Sequence, residues 1–208
     1  MFYNQWEDFV GLGKQAKTLS KSQVEAVYNY VGSLRHGWRN QTMLLLSVRA
    51  GFRAKEIAHL RWAMVLGSDG EVAQTIKLTN DASKGESGRE IPINKGLRSC
   101  LIALYGEDRM RRGFDPHASY VVRTERAART SPQAVVNTFL RWYHQIGLIG
   151  CSSHSGRRTF ITNAARKIST VGGSIRDVQM LAGHSSLQTT QRYIEGSSEA
   201  RDRVVDLV

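Results

Sequence analysis

Cysteine is nearly absent: Cys100 and Cys151 are the two in 208 residues. They are too few and too far apart for a disulfide framework or a Cys-x-x-Cys metal site. Long apolar runs are missing too. The best is Met43–Val48, interrupted by Ser47, far short of the ~18–20 residues of a membrane span. Glu7 and Asp8 stand inside the first apolar stretch and speak against a signal peptide. Acidic residues are scarce, 18 against 29 Lys plus Arg, for a net charge of +11. These deficits describe a soluble protein of a reducing, cytoplasmic compartment, with no membrane partner. Hydrophobic residues at 41% and charged residues at 23% exclude a disordered chain. The length suits one ordinary domain with a real core.

The positive charge is uneven. Between Ser131 and Ile194 stand Arg141, Arg157, Arg158, Arg166, Lys167, Arg176 and Arg192 against Asp177 alone. From Glu195 onward the sign reverses, Glu195, Glu199, Asp202 and Asp206 facing Arg201 and Arg203. Arginine supplies 21 of the 29 bases, and its planar fork matches phosphate oxygens at any working pH. Charge of this kind suits a polyanion, and equally a solvated basic face.

Periodicity outlines a mainly helical domain with a small antiparallel sheet. Ser20-x-x-Gln23 reads as a capping box opening a helix to about Leu34, with Val24, Val27, Tyr28 and Val31 on one face. A second helix is expected from Gln41 to about Ala50, stopped by Gly51, and a short third from Lys55 to Trp62. The period then changes to two over Ala73–Thr79, with a second extended run at Glu90–Ile93. The polar stretch from Asn80 to Gly88 between them reads as a hairpin loop. Asn94 caps a helix to about Arg112, and Ser131-Pro132 is a strong helix start. After His154 come three or four short helices, broken at Gly172-Gly173, Gly183 and Gly196-Ser197.

Four short patterns could carry chemistry, and each has an ordinary reading. Arg53 and Glu56 follow Gly51 at a helix start, which alone describes a surface i,i+3 ion pair. Lys84 in the hairpin loop could be one more exposed lysine. His154-Ser-Gly-Arg157 could be a capped helix start. Gly183-His184 followed by Tyr193, nine residues after the histidine, could be a C-cap and a half-buried structural tyrosine.

Taken in order and together, these patterns resemble the tyrosine recombinases, the phage integrase family. Leu44 to Trp62, with Arg53 and Glu56, is similar to that family's first arginine box. Lys84, eight residues before Pro92, matches the β-hairpin lysine. His154-Ser-Gly-Arg157-Arg-Thr-Phe160 is similar to the His-x-x-Arg box, and Leu181 to Tyr193 to the last box with its nucleophile. The resemblance covers about Thr18 to Gly196. Two positions depart from the pattern: Gly156 stands where the family often has Leu, which removes an apolar anchor, and Arg158 where His is frequent.

The resemblance implies an integrase-type catalytic-domain fold and a transesterification at a DNA phosphodiester. Tyr193 would be the nucleophile, its ordinary pKa near ~10 requiring a cationic pocket. Arg53 and Arg157 would grip the non-bridging oxygens as negative charge grows there. Lys84 would protonate the leaving 5′-oxygen. His154 and His184 would hydrogen-bond the phosphate and carry the tyrosine proton. No cofactor or metal is expected, the two guanidinium groups standing in for a cation. The implied partner is double-stranded DNA with inverted-repeat sites, bound by a chain that is monomeric alone and tetrameric on synapsed DNA. The resemblance also places it at the nucleoid of a prokaryote, phage or mobile element. Other readings are a type IB topoisomerase-like strand relaxation and a catalytically idle DNA-binding relative. The expected divisions are a short extension over 1–17, a catalytic domain over 18–196, and a tail helix over 197–208. The tail, apolar at Ala200, Val204, Val205, Leu207 and Val208, would dock on its own domain or, as the resemblance implies, on a neighbouring protomer.

Overall fold

The computed structural model describes residues 16–83, 87–125, 127–193 and 205, and among them eight α-helices and the two strands of one β-hairpin can be traced in full. The helices are α1 (Lys21–Ser33), α2 (Gly37–Ala50), α3 (Ala54–His59), α4 (Lys95–Arg109), α5 (Pro132–Gln145), α6 (Ser153–Lys167), α7 (Ile175–Ala182) and α8 (Leu187–Gln191). The strands are β1 (Thr75–Leu78) and β2 (Arg89–Pro92). Among the described residues no helix is long and apolar enough to cross a membrane. Lys84, the tip of the hairpin loop and nearly all of the expected tail helix lie outside the described residues. Of that tail, Val205 is described, as helical and exposed.

Where the sequence carries a cap, the helix starts on it. Ser20 closes its capping box with Gln23, Asn94 accepts from the Gly96 and Leu97 amides, and Ser131 accepts from Ala134 behind the proline at N1. Where it carries none, the expected boundary moves. The second helix begins at Gly37 instead of Gln41, behind His36 in the left-handed conformation with no side-chain cap. The third ends at His59, with Trp62–Met64 a separate 3₁₀ turn. The polar side of α2's first turn is what hid it, since Asn40 is buried by bonds to the Val31 and Arg35 carbonyls.

A large apolar core lies around α2, lined by α1, α3, α4, α5 and the hairpin, with Trp62, Phe52, Phe139 and Tyr143 fully buried. A second, smaller cluster, centred on Ile161, Val178 and Ala182, joins α6 to α7 and takes Tyr193 at its edge. α6 bridges the two, because it packs on α2 as well as on α7. That close approach needs Gly156. A Cβ there would stand 2.3 Å from Ser47 Oγ, 2.9 Å from Val48 Cγ1 and 3.0 Å from Ser47 Cβ. The expectation of a missing apolar anchor is therefore corrected: the Ser47 and Val48 side chains of α2 fill the space a leucine would need.

In the hairpin, Ile76 pairs with Ile91 and Leu78 with Arg89. Side chains two apart share a face, so Arg89 points to the same buried side as Ile91. An arginine on the inner face of a strand must find acceptors there.

Candidate active site

Arg53, Arg157 and His184 come together with Tyr193 where the two apolar clusters meet. Gly51, with φ +69°, ends α2 in the left-handed conformation that glycine tolerates. The chain then turns through Phe52 to put Arg53 at the N-cap of α3. Arg53 Nη1 donates to Glu56 Oε1 at 2.8 Å, and the Arg53 amide to Glu56 Oε2 at 2.8 Å. The expected i,i+3 pair thus exists, but it is not a surface pair: Glu56 is 0% exposed.

Arg157, on the second turn of α6, is 4% exposed. It donates from Nη1 to the Gly51 carbonyl and from Nη2 to the Ala182 carbonyl at 2.7 Å. Burial first, then repulsion by Arg53, draws its pKa down to about 10, so it stays cationic near neutrality. His154, on the first turn of the same helix, is more open to solvent. The protein packed about its ring, and then Arg157 and Arg53, hold it below the ordinary imidazole value.

Gly183 ends α7 with φ +59°, and its carbonyl accepts from Arg53 Nη2 at 3.2 Å. His184 follows directly. Its Nδ1 is 2.9 Å from Thr190 Oγ1 on α8, and its ring stacks on Tyr193 with centroids 5.5 Å apart. Burial, then Arg157, Arg53 and Arg89, push His184 down to about 4, which leaves it a neutral imidazole at pH 7. Tyr193 is half-buried just past α8, its carbonyl accepting from Thr162 Oγ1 at 3.4 Å.

Two residues that no motif singled out complete the site. Glu56 receives a second arginine, Arg89 of β2, whose Nη1 and Nη2 reach Oε1 and Oε2 at 2.9 and 3.1 Å. Burial pushes the Glu56 carboxyl up, but Arg89 and Arg53 outweigh it and hold it below the usual range. Thr190, fully buried, is the other. Arg89 was detectable from strand parity with Ile91, once the strand is taken to begin one residue before Glu90. Thr190 carries no such signal. Lys84 belongs to the undescribed loop tip; its flank is tied down by Lys55 Nζ, which donates to the Ser83 carbonyl at 2.7 Å. Among the described residues no three or more His, Cys, Asp or Glu side chains gather as metal ligands.

A mostly helical domain with one β-hairpin among the described residues, and with arginines gathered beside a histidine and a tyrosine, fits an integrase-type catalytic domain. The phage integrase family model matches residues 17–199, and the chain belongs to that family. It is 28% identical over 180 residues to the tyrosine recombinase XerA of Pyrococcus horikoshii, covering 86% of this chain and 58% of that protein. It is 27% identical over 168 residues to the tyrosine recombinase XerC of Bacillus pumilus, covering 79% and 52% respectively. The chain thus spans little more than half the length of these relatives. The crystal structure of XerA recombinase superposes with a TM-score of 0.73 over 93% of this chain and 65% of that one, at 18% identity. A Tn1549 transposon integrase in complex with transposon right-end DNA gives the same TM-score over 92% and 65%, at 16% identity. Both likenesses are of fold.

Proposed function

We propose that this chain is the catalytic domain of a site-specific DNA recombinase that cuts and rejoins duplex DNA through a 3′-phosphotyrosyl bond. The observation that carries the reading is the convergence of Arg53 and Arg157 on the loop that holds His184 against Tyr193. Family membership and recombinase relatives support it.

The Tyr193 oxygen attacks phosphorus and the bond from phosphorus to the 5′-oxygen breaks, so one ester replaces another and no energy source is consumed. The tyrosine proton passes to His184, which is neutral at pH 7 and so carries one unprotonated ring nitrogen. Arg157 and Arg53 each retain N–H groups beyond those bonded to carbonyls and Glu56. Directed at the non-bridging oxygens, these oppose the charge that builds up in a five-coordinate transition state. Lys84 gives its proton to the leaving 5′-oxygen, and His154 adds a hydrogen bond to the phosphate. All of this is reversible, since the freed 5′-hydroxyl of a second strand can attack the phosphotyrosine.

The partner is duplex DNA with inverted-repeat sites, met inside the cell. The active assembly is a tetramer on two synapsed sites, with the 197–208 tail docked on a neighbouring protomer and residues 18–196 as the catalytic unit. The basic stretch from Ser131 to Ile194 suits DNA, and the acidic tail suits a protein surface.

Incubation with nicked site DNA, followed by denaturing electrophoresis, tests the reading. A covalent protein–DNA adduct is expected from the wild type, with excess EDTA present, and none from Tyr193→Phe, whose non-covalent DNA binding stays within about twofold. An adduct on Tyr193→Phe, or a strict Mg²⁺ requirement for cleavage, overturns it.

A further inference from the structure

Three consecutive carbonyls at the C-terminal end of α7 are each taken by an arginine from a different element. Leu181 accepts from Arg89 Nε of β2 at 2.9 Å, Ala182 from Arg157 Nη2 of α6 at 2.7 Å, and Gly183 from Arg53 Nη2 at the start of α3 at 3.2 Å. These are orphan carbonyls of a helix end, and cations there also oppose the helix dipole. Arg53 and Arg157 belong to the motifs discussed above. Arg89 does not.

The guanidinium of Arg89 is fully committed inside the protein. Its two Nη atoms fork onto the two oxygens of Glu56, its Nε holds Leu181, and Nη1 also lies 3.4 Å from the Ser87 carbonyl. Its plane lies over the Phe52 ring, 5.7 Å from the centroid. The side chain is 7% exposed, and a Cβ on Gly183 would stand 2.8 Å from Nη1. No room remains for a phosphate to approach it. Bidentate bonds of this kind fix direction as well as distance.

The residue after Gly183 is His184, and α7 belongs to the small apolar cluster, apart from α3 and the hairpin. Where α7 sits against α3 is therefore decided largely by polar links across the junction, and the Glu56–Arg89–Leu181 chain is the one that ties α7 to both α3 and β2. We propose that Arg89 is a positioning residue: with Glu56 it locks the end of α7, so that His184 and Tyr193 are held against Arg53 and Arg157 without Arg89 itself touching DNA. The cleavage part of this inference rests on the recombinase reading above.

The test uses Arg89→Met, which keeps the stem and removes the donors, and Arg89→Lys, which keeps the charge and loses the fork. Each variant is measured for thermal melting, gel-shift affinity for site DNA, single-turnover adduct formation, and the NMR titration of His184 without DNA, assigned by comparison with His184→Gln. Arg89→Met is expected to bind DNA within about twofold of wild type, to form adduct at least tenfold more slowly, and to titrate His184 at higher pH. Arg89→Lys should fall between the two, and it decides the matter if Arg89→Met does not fold. Wild-type adduct rates in the variants, or loss of rate in proportion to lost DNA affinity, overturn the inference. If the wild type forms no adduct on any site, the recombinase reading fails instead. The His184 titration of Arg89→Lys, which keeps the charge that itself holds His184 down, then decides alone: a raised midpoint upholds the positioning role, and an unchanged one overturns it.

Discussion

His184 lies almost parallel to Tyr193, with ring centroids 5.5 Å apart and planes inclined by 26°. The contact joins the second residue past α7 to the second past α8, and Thr190 fixes it through a hydrogen bond with the histidine's Nδ1. A ring held on one nitrogen and one face has little freedom left to turn.

The neutral state of His184 makes stability pH-dependent. Its folded pKa, about 4, lies below the unfolded value near ~6.5, so the unfolded state binds the extra proton first. This stabilisation is complete above the unfolded value and is lost as pH falls through the window toward 4. His154 and Glu56 shift in the same direction. Chemical denaturation at pH 7, 5.5 and 4.5 should show falling stability, and His184→Gln should flatten the slope by an amount on the order of 1–3 kcal/mol. A slope identical to wild type would contradict the assignment.

Thr190→Val keeps the buried volume and removes the hydroxyl that pins His184. A cost of about 0.5–1.5 kcal/mol in unfolding free energy is expected from the lost hydrogen bond. Adduct formation should slow several-fold while DNA affinity holds. Unchanged single-turnover rates would show that the ring needs no such support.

Gly156→Ala should destabilise by about 1–3 kcal/mol, because the new methyl meets Ser47 and Val48 of α2 and the helices must part. Gly156→Leu, closer to the family pattern, should cost more. Adding Ser47→Ala to Gly156→Ala should recover part of the loss, since Ser47 Oγ is the nearest atom and has no hydrogen-bond partner among the described residues. Strict additivity in urea melts of the double mutant would refute the close-contact explanation.

Lys84→Ala should slow cleavage strongly when the leaving group is an ordinary 5′-oxygen. A 5′-bridging phosphorothiolate should restore much of the rate, because a thiolate departs without a proton. Arg157→Ala should stay slow on both substrates, as the charge-stabilising role proposed for it requires. Equal slowing of Lys84→Ala on the two substrates would assign the lysine to phosphate binding instead.

Much of this protein was determined locally, residue by residue. Ser20, Asn94 and Ser131 set their helix starts because a side-chain oxygen within three residues satisfies an orphan amide. Gly51 and Gly183 end α2 and α7 because the left-handed conformation there suits glycine. The order of Arg53, Lys84, His154, Arg157, His184 and Tyr193 pointed to the family for the same reason: short motifs are local spacings. Tertiary structure decided the rest. Glu56 reads as a surface partner of Arg53 until β2, thirty-three residues on, brings Arg89 to its other side. Gly156 reads as a missing anchor until α2 is seen against α6. Strand parity places Arg89 on the inner face but does not say what it binds, because its acceptors lie on α3 and α7, and only burial turns an exposed, freely rotating charge into a fixed one.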